Sequence, residues 1–334
     1  MKQENKGSKL KKIVFAKDMG GFGDFLCCLK TLYAIKQLYP HYTLIVYNDK
    51  ELDFVRKIGF VDEVINSNEV SLEELCAMKP EIFITTLRNS AFFRQLKTMK
   101  FQKLIAHPHF ISVTSRAFTT PLPYFRGKKY LSDINLTLAR AINPKHYDEN
   151  IHKIDFSKIR EFVPKETALS EAFFKKVDFA YKKVIGINAF SNFKEANGFN
   201  FFTKDWVNLA FELGRVYPEF LFVLLNFQKN LIQFNVQERQ NVRVFINNDS
   251  IASLVGMTLN LDYLISIDTG NVHLCNALQV PNFVFIDKRM RYRAGGGLNT
   301  FVADFGWQKN YQKTLKAFTQ EVKQRLKKLN NLSG

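Results

Sequence analysis

The run Leu264-Ile265-Ser266-Ile267-Asp268-Thr269-Gly270 passes from apolar residues to an acid, a hydroxyl and a glycine. It then enters an apolar-periodic segment, Asn271-Val272-His273-Leu274-Cys275-Asn276-Ala277-Leu278, that Pro281 closes. The pattern predicts strand, tight turn and helix. The first turn of such a helix carries unpaired N–H groups and the positive end of the helix dipole, which together suit a phosphate or diphosphate. Gly270 lets the backbone come close to that ligand, Asp268 can hold a hydroxyl beside it, and His273 lies about one turn into the helix. Two other readings compete. Asp268 or Thr269 can simply cap the helix, with His273 a half-buried side chain. An apolar strand followed by Asp-Thr-Gly is also how aspartic proteases present a carboxylate. Those enzymes need two carboxylates sharing a proton, and the chain has no second Asp-Thr-Gly or Asp-Ser-Gly.

A second constellation is Met19-Gly20-Gly21-Phe22-Gly23-Asp24. Gly21 and Gly23 match the opening of the Gly-x-Gly-x-x-Gly dinucleotide fingerprint, and Asp49 stands where a ribose-binding acid would, but the third glycine is replaced by Leu26. A nicotinamide-dependent sugar oxidoreductase is the enzyme class this partial fingerprint would serve. The glycines can also serve only to let the turn adopt positive φ. Asp24 falls at a helix N-terminus, which stabilises its charged form and holds it as a base, although any helix favours an acid there. A third group, Arg289, Arg291 and Arg293 before Gly295-Gly296-Gly297, reads either as a solvated loop or as a clamp for acidic groups on a ligand.

These residues need a scaffold, and the pattern around them alternates strand and helix. Strands are predicted at Ile13 to Ala16, Thr43 to Tyr47, Ile82 to Thr86 and Lys103 to Ala106, with helices at Phe25 to Tyr39 and Ser71 to Met78. From Asp155 to Lys183 the chain is charged and carries Pro164, as a linker with some helix would. A second block has strands at Val184 to Asn188, Leu221 to Asn226, Val242 to Ile246, Tyr263 to Ile267 and Asn282 to Ile286. Its helices fall at Lys204 to Val216, Ser250 to Thr258 and Val272 to Leu278. Such alternation implies parallel sheets covered on both faces. In the tail from Gln308 to Leu329, the residues Tyr311, Leu315, Phe318, Val322, Leu326 and Leu329 recur at spacings of three and four, which predicts a helix packed on the body. A basic amphipathic helix lying on a membrane is the other use of such a pattern.

The 334 residues suffice for two α/β domains, and 46% hydrophobic with 24% charged residues describes a globular protein. The 33 phenylalanines are expected to fill the core. The formal charge of +17 implies an anionic partner: nucleic acid, acidic lipid headgroups or a phosphorylated substrate. A non-enzymatic nucleic-acid binder is motivated by charge alone, since no basic-aromatic motif of an RNA module is present. Cys27, Cys28, Cys76 and Cys275 show no zinc or disulfide spacing, which suits reduced cytosolic thiols. The basic N-terminus and the short run after it do not read as a signal peptide. No apolar stretch approaches the ~20 residues that span a bilayer.

Taken in chain order, the motifs resemble glycosyltransferase family 9, the heptosyltransferases of lipopolysaccharide core assembly. Gly23-Asp24 is similar to the family's N-terminal Gly-Asp segment. Lys79-Pro80-Glu81-Ile82-Phe83-Ile84-Thr85-Thr86-Leu87-Arg88-Asn89-Ser90 resembles its Pro-Asp strand and polar turn, and Gly186-Ile187-Asn188-Ala189-Phe190-Ser191 its strand into an Asn-Pro-Gly loop. Asp268-Thr269-Gly270 with His273 and Ala277 resembles its Asp-x-Gly-x-x-His signature. Ala189 departs from the family's proline. Phe199-Asn200-Phe201-Phe202 replaces a Lys-Arg-Trp-Pro segment whose lysine serves the donor phosphate or acceptor region, a role left to Lys194 or Lys204.

The resemblance implies a GT-B architecture of two Rossmann-like, doubly wound α/β domains facing across a cleft, with a C-terminal helix packed back on the body. The expected boundaries are an acceptor-binding domain over 13–160, a linker over 161–183, a nucleotide-sugar domain over 184–307 and the helix over 308–334. It implies an inverting, metal-independent transfer of a sugar, first of all heptose from ADP-heptose, to the inner core of lipopolysaccharide or lipooligosaccharide. Asp24 would be the catalytic base. Asn188, Ser191, Lys194, Asp268, Thr269, Gly270, Asn271 and His273 would bind the donor, and Gly23, Arg88, Asn89, Arg291 and Arg293 would contact acceptor or phosphate. No cofactor or metal is expected, in keeping with the absence of an Asp-x-Asp element. The partners would be an ADP-sugar, an anionic lipid-linked saccharide and the cytoplasmic face of the inner membrane, with no nucleic acid.

Overall fold

The apolar runs lie at the centres of two parallel sheets in a computed structural model that describes residues 11–17, 21–87, 89–121, 131–190, 198–231, 240–290 and 299–331. The chain divides into two units, the first ending at Val163 and the second running from Pro164, with Leu131 counted with the second. The first unit holds β1 (Lys11–Ala16), β2 (Tyr42–Asn48), β3 (Glu63–Asn66), β4 (Ile82–Thr85), β5 (Lys103–Ala106) and β6 (Phe118–Thr119), in the spatial order β3-β2-β1-β4-β5-β6. In the second unit are β7 (Lys183–Asn188), β8 (Phe220–Phe227), β9 (Val242–Asn247), β10 (Tyr263–Ile267), β11 (Asn282–Asp287) and β12 (Thr300–Ala303), ordered β12-β11-β10-β7-β8-β9. Every pairing is parallel. Counted within its own unit, each sheet therefore has the same doubly wound order, with the first and fourth strands adjacent at the centre.

The predicted strands are present with ends shifted by a residue or two. The helix expected from Phe25 to Tyr39 is instead two, Phe22–Leu26 and Leu29–Leu38. The break has a physical cause. Cys28 N–H bonds back only three residues, to Phe25 C=O at 2.8 Å, and the Cys27 carbonyl is taken at 3.2 Å by the side-chain amide of Asn135, from the helix Leu131–Ile142. The Asn135 Oδ1 in turn meets His107 Nε2 at 2.9 Å, so a buried polar pair takes over a carbonyl that a continuous helix would use itself.

In the second unit, the stretch read as a linker contains the helix Ala168–Phe174. Glu166 N–H bonds to Ala252 C=O at 3.0 Å, and the Phe173 ring lies 5.5 Å from that of Phe245. The C-terminal helix, Tyr311–Asn331, buries Phe318, Val322 and Leu326, with Tyr311, Leu315 and Leu329 partly covered, which is the face predicted from spacing. The Phe318 ring stacks on Phe283 at 5.5 Å and meets Phe285, Phe301 and Trp206 edge-on at 5.6 Å. The helix is thus part of that core. Among the described residues no helix is long and apolar enough to cross a membrane.

Asn135→Ala should cost about 1–3 kcal/mol, because it strips the Cys27 carbonyl and the His107 ring nitrogen of their buried partner. Urea unfolding with an unchanged m-value checks this, and a loss below about 0.5 kcal/mol would show that the helix break does not depend on Asn135.

Candidate active site

In each sheet the strand order reverses between the first and fourth strands, and the crevice outside their carboxyl ends is where open α/β sheets take ligands. In the second unit this crevice lies beyond β7 and β10, and the sequence-predicted Asn188 and Asp268-Thr269-Gly270 are the residues that reach it. Asn188 ends β7 and pairs in register with Ser266 of β10. Its Nδ2 donates to Ser266 Oγ at 3.1 Å and to Thr269 Oγ1 at 3.0 Å. Both amide hydrogens are then used. Asn188 is only 1% exposed, yet its Oδ1 accepts nothing from the described residues.

Thr269 is the extended residue before the helix Gly270–Ala277, with φ −145° and ψ 177°, and its side chain makes no capping hydrogen bond to that helix. Of the two residues offered as a cap, Thr269 does not act as one. Val272 N–H makes the first backbone bond of the helix, to Thr269 C=O at 3.1 Å, so the Gly270 and Asn271 amides precede it. Asp268 and Asn271 are buried beside them, and His273 is half-buried one turn further on. Ser191, Lys194, Arg291 and Arg293 lie outside the described residues.

The segment Phe199-Asn200-Phe201-Phe202 is structural in its second half. Asn200 Nδ2 donates to Ala189 C=O at 2.7 Å just after β7, its Oδ1 accepts from Trp206 Nε1 at 3.0 Å, and Phe201 is buried against Phe285. Phe199 has another role. It packs on Val272, Val284 and Ile286, and the Arg289 guanidinium lies over its ring at 4.1 Å. Lys204, one of two substitutes considered for the missing lysine, has its ammonium 5.8 Å above the exposed Phe202 ring.

Sequence reasoning missed Asp287, the last residue of β11. Its buried carboxylate accepts from Arg289 Nε at 2.7 Å, Arg289 Nη2 at 2.6 Å, Arg289 N–H at 2.9 Å and Trp307 Nε1 at 2.8 Å. Burial pushes its pKa up, but the Arg289 and Trp307 hydrogen bonds outweigh that and hold it below the usual carboxylate range. The same pair raises the Arg289 pKa. The available signal was an acid ending an apolar strand two residues before an arginine.

In the first unit, Thr86 N–H bonds to Ala16 C=O at 3.3 Å across the β1/β4 reversal, and the Thr86 hydroxyl is buried there with no partner among the described residues. Gly23 and Asp24 sit in the short helix Phe22–Leu26 that follows β1. Asp24 is half-buried, and no hydrogen bond or ion pair reaches its carboxylate from the described residues. Gly21 has φ −67°, and a Cβ there would meet nothing within 4 Å, so neither positive φ nor packing requires this glycine. A five-residue helix also falls short of the long helix that holds a dinucleotide pyrophosphate. Asn89 caps the helix Ser90–Thr98, its Oδ1 accepting from Ala91 N–H at 2.8 Å, which leaves only its amide nitrogen for a ligand. Arg88 lies outside the described residues.

The cysteines are free, and burial pushes the Cys28 thiol up to about 12, so it is no nucleophile beside Asp24. Cavities of about 660 Å³ at Tyr39, Glu81, Lys103 and His146, and about 390 Å³ at Phe173, Arg243 and Phe245, contain none of the predicted site residues.

No family model matches the sequence, and no curated protein matches it. Solved structures do match the fold. A family 9 glycosyl transferase from Veillonella parvula superposes with a TM-score of 0.63 at 15% identity, covering 92% of this chain and 90% of its own. The chain has the fold of the family 9 glycosyltransferases. The E. coli ADP-heptose LPS heptosyltransferase II gives 0.58 at 11% identity over 94% of this chain and 99% of its own. E. coli heptosyltransferase WaaC with ADP gives 0.59 at 13% over 93% and 99%. The GT-B architecture expected from the motifs is therefore present in its two doubly wound sheets, and the C-terminal helix packs on the second.

Asp287→Asn should destabilise the protein by about 1–3 kcal/mol near neutral pH, because a carboxylate bonded to a guanidinium and an indole is replaced by a neutral acceptor. The sign follows from the depressed native pKa. Stability from the charged form is complete above the unfolded value, about 3.9, and is lost as pH falls through the lower folded value. The deficit of the variant should therefore shrink below about pH 4, and a deficit unchanged between about pH 7 and pH 3 would place its cause in packing.

Proposed function

We propose that this protein is an inverting, metal-independent glycosyltransferase of the family 9 kind. In this reading it transfers heptose from ADP-heptose to an anionic, lipid-linked saccharide of the lipopolysaccharide inner core, at the cytoplasmic face of the inner membrane. The observation that carries the reading is the second sheet's reversal point. There the Asn188 amide, the Thr269 hydroxyl and the uncapped start of the helix Gly270–Ala277 converge. Hydrogen-bond donors on a helix N-terminus suit a diphosphate, and an Asn188 Oδ1 with no partner among the described residues suits a hydrogen-bond donor. The ADP donor and the heptose come from what the similar E. coli enzymes are named for. The net charge of +17 favours an acidic, membrane-held acceptor.

In the reaction, Asp24 takes the proton of the acceptor hydroxyl as its oxygen attacks the anomeric carbon. The bond from that carbon to the diphosphate oxygen breaks, and ADP departs with the electron pair. Inversion follows from attack on the face opposite the leaving group, the logic by which inverting glycosidases use a carboxylate and water. The Gly270 and Asn271 amides would hold the charge that develops on the diphosphate, with Asp268 accepting from sugar hydroxyls and Asn271 and His273 completing the donor site. Gly23, Arg88 and Asn89, with Arg291 and Arg293, would contact acceptor or phosphate.

Asp24→Asn should leave folding and donor affinity nearly intact and lower turnover by roughly 10²- to 10⁴-fold; near-normal turnover would remove Asp24 from the mechanism. Turnover should also survive EDTA, and a loss restored by Mg²⁺ or Mn²⁺ would contradict metal independence. In calorimetry, Gly270→Val should abolish ADP binding by steric block, while Asp268→Ala should weaken ADP-heptose more than ADP. Unchanged affinities in both variants would move the donor elsewhere.

A further inference from the structure

Arg289 is a guanidinium fixed in place with part of its donor set unspent. Its Nε and one Nη2 hydrogen bond to the Asp287 carboxylate, which leaves three of its five N–H donors, and the side chain is 43% exposed. One face of the group rests on Phe199, 4.1 Å from the ring centroid, and Phe199 packs on Val272 in the first turn of the helix Gly270–Ala277. Strand register fixes the neighbourhood further. Ile267 of β10 pairs with Phe285 of β11, the last pair of that ladder, and the two segments run on by two residues each, to Thr269 and Asp287. Through Phe199 the guanidinium is thus set on the side of β11 that carries Val272 and the start of the helix Gly270–Ala277.

A departing nucleoside diphosphate carries two or more negative charges, whereas a helix terminus offers only about half a positive one. A cation held rigidly beside the helix start supplies the difference without reorganising during the reaction. We propose that Arg289 binds the diphosphate of the donor and stabilises it as it leaves, with Asp287 and Phe199 as the residues that position it. The inference rests on the glycosyltransferase reading above and names the residue that carries its leaving-group charge. It also accounts for Phe199 where the resemblance leads one to expect a basic segment, because the aromatic ring supports a cation delivered from β11. Asp287 does not cancel that role, since a forked ion pair uses one edge of the guanidinium and leaves the other for phosphate oxygens.

The contrary possibility is that the Asp287, Arg289 and Trp307 cluster only fastens the end of β11. The two are separated by the affinities of purified protein for ADP and AMP, which differ by one phosphate, measured by calorimetry at two salt concentrations alongside thermal unfolding. Arg289→Gln should weaken ADP by about 10- to 100-fold, leave AMP within roughly threefold and flatten the salt dependence of ADP binding. Arg289→Lys should recover part of the loss, since it keeps the charge without the fork. A purely structural role predicts a lower melting temperature with an unchanged ratio of ADP to AMP affinity, and that result would overturn the proposal. Wild-type protein with no affinity for ADP would overturn the glycosyltransferase reading itself and this assignment with it, whereas ADP binding that Arg289→Gln leaves unchanged would overturn only the assignment.

Discussion

A buried side-chain amide must place two donors and an acceptor, and the Asn188 amide places its donors across the reversal between β7 and β10. Its hydrogens hold Ser266 within β10 and Thr269 just beyond it, so the turn into the helix Gly270–Ala277 is tied to the neighbouring strand by a side chain that water does not reach. The proposed donor site in the second unit depends on that tie. Thr269 is kept extended, the helix starts without a side-chain cap, and its first amides face outward from the sheet edge. The Asn188 Oδ1 finds no partner among the described residues, and an unmet acceptor in an interior costs about 1–3 kcal/mol.

Around this point the packing is unusually aromatic. Phe201, Phe283, Phe285, Phe301, Trp206 and Phe318 form a continuous set of ring contacts that joins the C-terminal helix to the sheet. Fully burying such a ring is worth about 1.5–3 kcal/mol, so the buried members of the cluster fasten the C-terminal helix to the sheet, with Phe301 only partly covered. In the first unit the equivalent device is polar. Asn135 and His107 take over the carbonyl at the helix break after Asp24, which ends the carboxylate's helix after five residues.

The central strands were legible because strands buried on both faces are near-continuous apolar runs, as in Phe220 to Leu225. The strands that went unread, β3, β6 and β12, all lie at sheet edges, where they are short and partly exposed, so the apolar signal is diluted. The Asp-Thr-Gly turn was readable because strand, turn and helix are contiguous in sequence. The Asn188 link to Thr269 spans 81 positions and the Asn135 link to Cys27 spans 108, and no local pattern encodes a hydrogen bond of that separation. The partner of Arg289 went unread for another reason. Grouped with Arg291 and Arg293 it looked like a solvated loop or a general clamp, whereas the acid that holds it is two residues upstream on the strand.

If the protein acts as proposed, the carboxyl edge of β7 and β10 holds a diphosphate against the start of the helix Gly270–Ala277. Amide hydrogen exchange of the wild-type protein with and without saturating ADP tests it most directly, because it reads the backbone groups said to bind. Exchange should slow at Gly270, Asn271 and Val272, with the first unit unchanged by the nucleotide. Binding of ADP with no protection at those amides, or protection confined to the first unit, would contradict it.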